Sequence, residues 1–139
     1  MLELPPDVVK YYKAMRKDPE RFARDILGIA PWSKQVEIMR SVLENRKTTV
    51  RSCNAAGKTA TAAMIMNWFL PVFPDSVVIT TAPTWRQVEK LIWKEIRINH
   101  QRAGILGGTL APKSPELQID QDRWYASGIS TNQPDRFQG

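Results

Sequence analysis

Apolar residues recur at helical spacing in three runs within the first 45 residues. The first run carries Val8, Tyr11, Tyr12 and Met15. A second run opens at Asp18-Pro19, an N-cap followed by proline at the first helical position, and Gly28 is a natural end for it. Ser33 is placed to cap a third run, whose apolar positions are Val36, Met39, Val42 and Leu43. We therefore predict a helical N-terminal segment over residues 1–45.

From residue 46 the pattern changes from helix alone to strand, loop and helix. Residues 47–51 are short and β-prone, and residues 52–57 are small. Residues 58–70 form a long helical run that ends where Pro71 follows. This order predicts a strand that leads through a tight loop into a helix.

The rest of the chain continues the alternation of strand and helix. Residues 76–81 are an uncharged β-branched run, which is typical of a buried parallel strand. A helix is predicted from residue 83 to about residue 99, and two short strands follow at residues 116–119 and 123–129. The pattern indicates an α/β fold in which helices flank a parallel sheet.

Composition and charge place the chain among ordinary globular proteins. It has 139 residues, of which 42% are hydrophobic and 24% charged, enough for one domain with one core. The net charge of +6 favours a polyanionic partner, although a basic solvated surface explains it equally well. The single cysteine, Cys53, fits a reducing cytoplasm. No apolar run reaches the roughly 20 residues of a membrane helix, so we expect a soluble intracellular protein without a membrane partner.

Residues 52–59 carry the strongest chemical signal in the sequence. They read Ser-Cys-Asn-Ala-Ala-Gly-Lys-Thr, which matches the phosphate-loop pattern G-x-x-x-x-G-K-[ST] except for Ser52 in place of the first glycine. Small residues let such a loop curl, so that backbone N–H groups and the N-terminus of the next helix meet phosphate oxygens. Lys58 would reach the β- and γ-phosphates, and the Thr59 hydroxyl would ligate Mg²⁺. A glycine-containing turn between strand and helix, without a ligand, is the alternative.

This loop defines the predicted nucleotide site, with ATP and Mg²⁺ as its ligands. The predicted ligand-binding residues of this segment are Arg51, Ser52, Asn54, Ala55, Ala56, Gly57, Lys58 and Thr59.

Trp32 and Gln35 precede the loop by about twenty residues and suit an adenine base. An indole face stacks on a purine, and the Gln35 amide both donates and accepts, which matches the adenine edge. The alternative is that Trp32 is a core or helix-entry residue and Gln35 a surface residue. The phosphate loop downstream favours adenine recognition.

Two further sets of residues are candidates for contact with phosphates. Four basic residues recur at helical spacing after the buried strand and suit a phosphate backbone: Arg86, Lys90, Lys94 and Arg97. A solvated helix face partly neutralised by Glu89 and Glu95 is an equal alternative. Arg136 lies in a polar tail, where an arginine near a phosphate site can serve as an arginine finger.

The sequence contains no Asp-Glu pair at the end of a hydrophobic strand. A hydrolysing P-loop enzyme needs such a pair to hold Mg²⁺ and to position the attacking water. The nearest candidate is residues 117–120, and Gln121 follows where a glutamate is wanted. We therefore expect the chain to be the front part of a longer ATPase.

Taken together, these motifs resemble the N-terminal ATPase domain of the large terminase subunit of tailed bacteriophages or prophages. The resemblance rests on four segments, namely residues 31–35, 51–59, 80–88 and 132–139, and runs from about residue 18 to residue 139. It implies a P-loop NTPase fold of the RecA/ASCE type, of which residues 46–139 would be the first part of the core. The acidic strand and the family's C-terminal nuclease domain have no counterpart here.

The resemblance also implies an activity and partners. Members of this family hydrolyse ATP to drive double-stranded DNA into an empty capsid, as a ring that works with the portal protein and the small terminase subunit in the cytoplasm of the bacterial host. By similarity, Lys58 and Thr59 would hold phosphates and Mg²⁺, and Gln35 would read adenine. Arg136 would match the arginine that some members present to the ATP of a neighbouring subunit.

Two other interpretations stay open at the level of sequence. One is a fragment of a superfamily 2 helicase, a class that also combines a glutamine motif with a phosphate loop but usually has glycine where this chain has Ala55. The other is a nucleotide- or DNA-binding module without catalysis, from a degraded prophage.

Overall fold

The computed structural model describes residues 5–51, 57–120 and 122–131. Its N-terminal part is helical, as the sequence predicts. The helices are α1 (Pro6–Met15), α2 (Pro19–Phe22) and α3 (Ser33–Glu44). Asp18 caps α2 by accepting the Arg21 backbone N–H at 3.1 Å. The chain continues through a π-helical turn, Ala23–Leu27, to Gly28, whose φ of 68° is the left-handed conformation that glycine tolerates.

The start of α3 differs from the prediction by one residue. Trp32, not Ser33, occupies the N-cap, with an extended backbone. The reason is that Gln35 reaches back from the first turn, where its Oε1 accepts the Trp32 backbone N–H at 3.1 Å. This satisfies a donor at the helix entrance that would otherwise depend on water.

Helix α4 (Lys58–Val72) lies between two clusters of buried side chains. Met64, Trp68 and Val72 pack with residues of α1, α2 and α3, and the Trp68 indole N–H donates to the Met15 carbonyl at 2.8 Å. Its other face, with Met66 among its buried residues, packs against the sheet and the helices that follow. The helix passes Pro71, where the sequence predicted its end, and stops one residue later at Val72. Proline removes one helix hydrogen bond and crowds the carbonyl four residues earlier, which favours an end close to this position.

The four-stranded sheet is mixed, which corrects the prediction of a parallel sheet. Its strands are β1 (Val77–Ala82), β2 (Thr109–Leu110), β3 (Glu116–Asp120) and β4 (Trp124–Ser130), in the order β1-β4-β3-β2. Strands β1 and β4 are parallel, whereas β3 is antiparallel to both β4 and β2. The short turn between β3 and β4 forces that pair to be antiparallel, because a parallel pair needs a crossover of a dozen or more residues.

A long helical segment forms the crossover from β1 towards the rest of the sheet. It comprises α5 (Trp85–Gln87), a π-helical turn at Val88–Ile92 and α6 (Trp93–Ala103). Buried Trp93 joins this segment to β1, because its indole N–H donates to the Thr80 hydroxyl at 2.8 Å. The described chain is therefore an α/β protein whose mixed sheet packs against helices.

Residues 47–51 do not form the predicted strand. They have no regular secondary structure. Strand β1 lies at the edge of the described sheet, and the strand paired with it there is β4. A β-prone segment becomes a strand only when a neighbour completes its ladder of hydrogen bonds. Within the described residues, no strand pairs with this segment.

None of the helices in the described ranges is long and apolar enough to cross a membrane.

Candidate functional site

Gly57 fixes the point at which the chain enters α4. It is the N-cap of the helix and has φ 75° and ψ 27°, a left-handed conformation that costs an L-residue about 1–2 kcal/mol. Its carbonyl accepts the Thr61 backbone N–H at 2.9 Å and the Thr61 hydroxyl at 2.8 Å. Thr61 is 2% exposed. The first turn of α4 is thereby held firmly from its buried side.

Lys58 and Thr59 lie in this first turn, where backbone N–H groups have no partners inside the helix. Lys58 is exposed and Thr59 is half-buried. The helix N-terminus carries partial positive charge, to which the Lys58 ammonium adds a full charge. These two residues are therefore placed where an anion is electrostatically favoured.

Several predicted residues fall outside the described ranges. Ser52, Asn54, Ala55 and Ala56 belong to residues 52–56, and Arg136 belongs to residues 132–139. The predictions made for them remain predictions.

A cleft of about 410 Å³ brings together three of the predicted site residues that are distant in sequence. Trp32 from the entrance of α3, Arg51 from the segment before the loop, and Lys58 from α4 all line it. Ile38 and Val50 contribute apolar walls. The volume lies within the roughly 300–1,000 Å³ that is usual for small-molecule sites. The cleft thus offers an aromatic face, apolar sides and the cations Lys34, Arg51 and Lys58, of which Lys34 pairs with the Glu37 carboxylate at 3.2 Å.

Trp32 is 51% exposed, which excludes the interpretation of this residue as part of the core. Its side chain remains available to a ligand in the cleft. An exposed indole can stack on a planar group, and stacking on a base contributes about 1–3 kcal/mol to binding.

Gln35 is placed differently from Trp32. It is 8% exposed and is not among the residues that line the cleft. Its Oε1 accepts the Trp32 N–H, and its Nε2 stands 3.3 Å from the position that a Cβ on Gly57 would occupy. The structure therefore brings Gln35 to Gly57, a contact that the sequence alone did not indicate.

Two hydroxyl side chains hold the segment before the loop. Ser41 Oγ and Thr48 Oγ1 lie 2.9 Å apart, and both line the cleft. This hydrogen bond ties residues 47–51 to α3 although no strand ladder does. Little in the sequence points to this pair, because serine and threonine are common on exposed helix faces and loops.

The direction of α4 relative to β1 sets the edge of the sheet at which the site lies. The helix ends at Val72, β1 begins at Val77, and Ala62, Ile65 and Phe69 of α4 line one cavity with β1. A four-residue connection between two elements that lie side by side reverses the chain, so α4 and β1 run in opposite directions. At about 1.5 Å per helical residue and 3.3 Å per strand residue, both are about 20 Å long. The Lys58 end of α4 is consequently at the carboxyl end of β1, the edge at which ligands gather in parallel α/β units.

The four basic residues of the helix after β1 do not all share one environment. Arg86, Lys90 and Lys94 are exposed. Arg97 is half-buried, and its Nη2 donates to the Ser114 carbonyl at 2.7 Å, which anchors the loop before β3. The three exposed cations form a surface that is open to an anionic partner.

No cluster of three or more histidine, cysteine, aspartate or glutamate side chains occurs within the described ranges. Thr59 is the predicted Mg²⁺ ligand there, and a hydroxyl oxygen in the first turn of α4 suits a hard cation whose remaining ligands are phosphate oxygens and water.

Comparisons of the chain with family models, with curated proteins and with solved structures found no match.

Proposed function

We propose that this chain binds a nucleoside triphosphate with Mg²⁺, as the ATP-binding front part of a DNA-packaging motor of the terminase type. The observation that carries the proposal is the single cleft that joins Trp32 to Lys58. Those residues come from the two motifs that sequence assigns to the base and to the phosphates.

Each part of the cleft has a role that follows from its chemistry. The exposed Trp32 indole provides a stacking surface for the base. The Lys58 ammonium and the N-terminus of α4 neutralise the β- and γ-phosphates. Arg51 adds a second positive charge to the same cleft. The Thr59 hydroxyl would be one ligand of the Mg²⁺ that neutralises the phosphates when it is bound.

The left-handed glycine before Lys58 also supports the proposal. A loop that wraps a phosphate must turn its backbone N–H groups inward and then enter a helix directly. Gly57 makes that entry at φ 75°, and the Thr61 hydroxyl holds its carbonyl. A turn that merely linked two elements would need no cation immediately after it.

The wider activity rests on the sequence resemblance. In this proposal, ATP hydrolysis by a longer parent protein moves double-stranded DNA, with the portal protein and the small terminase subunit as partners. Arg136 would face the ATP of a neighbouring subunit in a ring, and the P-loop NTPase fold would be completed by further strands. The exposed Arg86, Lys90 and Lys94 suit contact with the DNA backbone.

Calorimetric titration with Mg-ATP tests the proposal, with Lys58→Ala beside the wild type. Hydrogen bonds to charged groups contribute about 1.5–3 kcal/mol, so the variant should bind about 10–150-fold more weakly. Lys10→Ala is the control, because Lys10 is also an exposed lysine but does not line the cleft, and this variant should bind Mg-ATP like the wild type. Equal binding by wild type and Lys58→Ala would reject the phosphate site. No binding by the wild type would reject the proposed function for this chain.

A further inference from the structure

Gln35 lies between the two ends of the candidate site and contacts both. Its Oε1 accepts the backbone N–H of Trp32 at 3.1 Å. Its Nε2 lies against Gly57, 3.3 Å from where a Cβ on that glycine would stand. With 8% of its surface exposed, the side chain is enclosed by the protein and does not line the cleft.

This placement conflicts with the reading of a base by Gln35. An amide that recognises an adenine edge presents its donor and its acceptor together to the ligand. Here the Gln35 acceptor binds the Trp32 backbone N–H, and its Nε2 group lies beside Gly57, so the amide faces parts of the protein. A base in the cleft would meet the indole of Trp32, which offers a π-face and no pattern of donors and acceptors.

Gly57, in contrast, is held from two sides. The Thr61 backbone and hydroxyl bind its carbonyl from within α4, and the Gln35 amide occupies the space beside its Cα. Removing the amide would leave the loop free to shift at the residue from which Lys58 and Thr59 follow. A displacement there moves the groups that would meet the phosphates.

We propose that Gln35 is a positioning residue for the phosphate end of the site, and that the base is held by stacking on Trp32 with little discrimination between purines. The inference rests on the proposed function and broadens its ligand from ATP to purine nucleoside triphosphates in general. It assigns to Gln35 an effect on all ligands that carry a triphosphate, whatever their base.

Three probes separate positioning of the loop from reading of the base. Calorimetry would measure the affinities of Mg-ATP, Mg-GTP and Mg-tripolyphosphate for the wild type and for variants. The wild type should bind ATP and GTP within about threefold of each other, because stacking tolerates either purine. Gln35→Ala should weaken all three probes by the same factor, about threefold to tenfold, the effect of one hydrogen-bonding side chain.

Two further variants complete the comparison. Trp32→Ala should weaken ATP and GTP by about fivefold to 100-fold and leave tripolyphosphate unchanged, because the last probe has no base to stack. Gln87→Ala is the matched control: Gln87 closes an equivalent cap at α5, where its Oε1 accepts the Thr84 N–H at 3.2 Å, but it is not among the atoms beside Gly57. This variant should bind all three probes like the wild type.

The results decide between the two roles. A loss confined to ATP in Gln35→Ala would overturn the inference, as would a wild-type preference for ATP over GTP above about 30-fold. Binding of none of the probes by the wild type would reject the proposed function itself and the inference with it. If Gln35→Ala does not fold, Gln35→Met keeps the length of the side chain, lacks the polar amide and adds no charge. Its tripolyphosphate affinity should fall, and an unchanged value would overturn the inference.

Discussion

Replacing Gly57 by alanine should lower the free energy of unfolding by about 1 kcal/mol. An L-residue at φ 75° costs about 1–2 kcal/mol, and alanine recovers about 0.4–1 kcal/mol by restricting the unfolded chain. The new Cβ would also stand 3.3 Å from Gln35 Nε2, so the amide must move by a few tenths of an ångström. For a chain of 139 residues, 1 kcal/mol lowers Tm by about 3–5 °C.

Gly104→Ala is the matched control for this prediction. Gly104 has φ 70°, and a Cβ there would meet nothing within 4 Å, so the substitution changes backbone conformation alone. Urea unfolding should show comparable losses for the two variants, with the larger loss in Gly57→Ala. Only Gly57→Ala should also bind Mg-tripolyphosphate more weakly than the wild type. If Gly57→Ala is as stable as the wild type, Gly57 does not adopt a left-handed conformation at the start of α4. If both variants bind tripolyphosphate normally, Gly57 does not position a phosphate site.

Three other predictions concern the basic surface, the loop anchor and the N-terminal core. Replacing Lys90 and Lys94 together by alanine should lower the slope of log K for duplex DNA against log salt by about 1.8, since each phosphate contact contributes about 0.9. An unchanged slope would exclude both lysines from a DNA interface. Arg97→Ala should instead lower stability to urea by about 1–3 kcal/mol while the salt slope stays the same, because its guanidinium holds the Ser114 carbonyl at 2.7 Å. Burial raises the pKa of Tyr12 above its ordinary value of 10.0, because the folded protein disfavours the charged phenolate. The resulting contribution to the free energy of unfolding is fully present below pH 10 and is lost as the pH rises through the folded pKa. Tyr12→Phe should therefore lose less stability than the wild type between about pH 8 and about pH 11, and an equal loss would contradict that assignment.

Much of the fold follows from local sequence signals. Asp18 and Gly28 bound their helical segment as predicted, because a capping carboxylate and a left-handed glycine act within a few residues. The uncharged run at 76–81 forms β1, and the two predicted short strands form β3 and β4. Residues 47–51 were predicted as a strand from propensity alone, and that prediction is wrong for the described structure. A strand depends on a partner that the segment itself cannot specify.

The candidate site divides in the same way. The spacing of Gly57, Lys58 and Thr59 already predicts a phosphate-binding turn at a helix N-terminus, since those groups are adjacent in the chain. The sequence also singled out Trp32 and Gln35 but treated them as one unit. In the structure their environments are opposite, because Trp32 is half-exposed at the cleft and Gln35 is enclosed against Gly57.

The sequence by itself determined the identity and spacing of the chemical groups, the caps of the helices and the positions of most strands, all of which arise from interactions within a few residues. Only the tertiary structure decided that the sheet is mixed, that Arg97 anchors a loop while Lys90 and Lys94 face solvent, and that Trp32 and Lys58 share one cleft. These features depend on contacts between residues that are distant in the chain. Such contacts are fixed by how α4 packs between two cores, which no local pattern specifies.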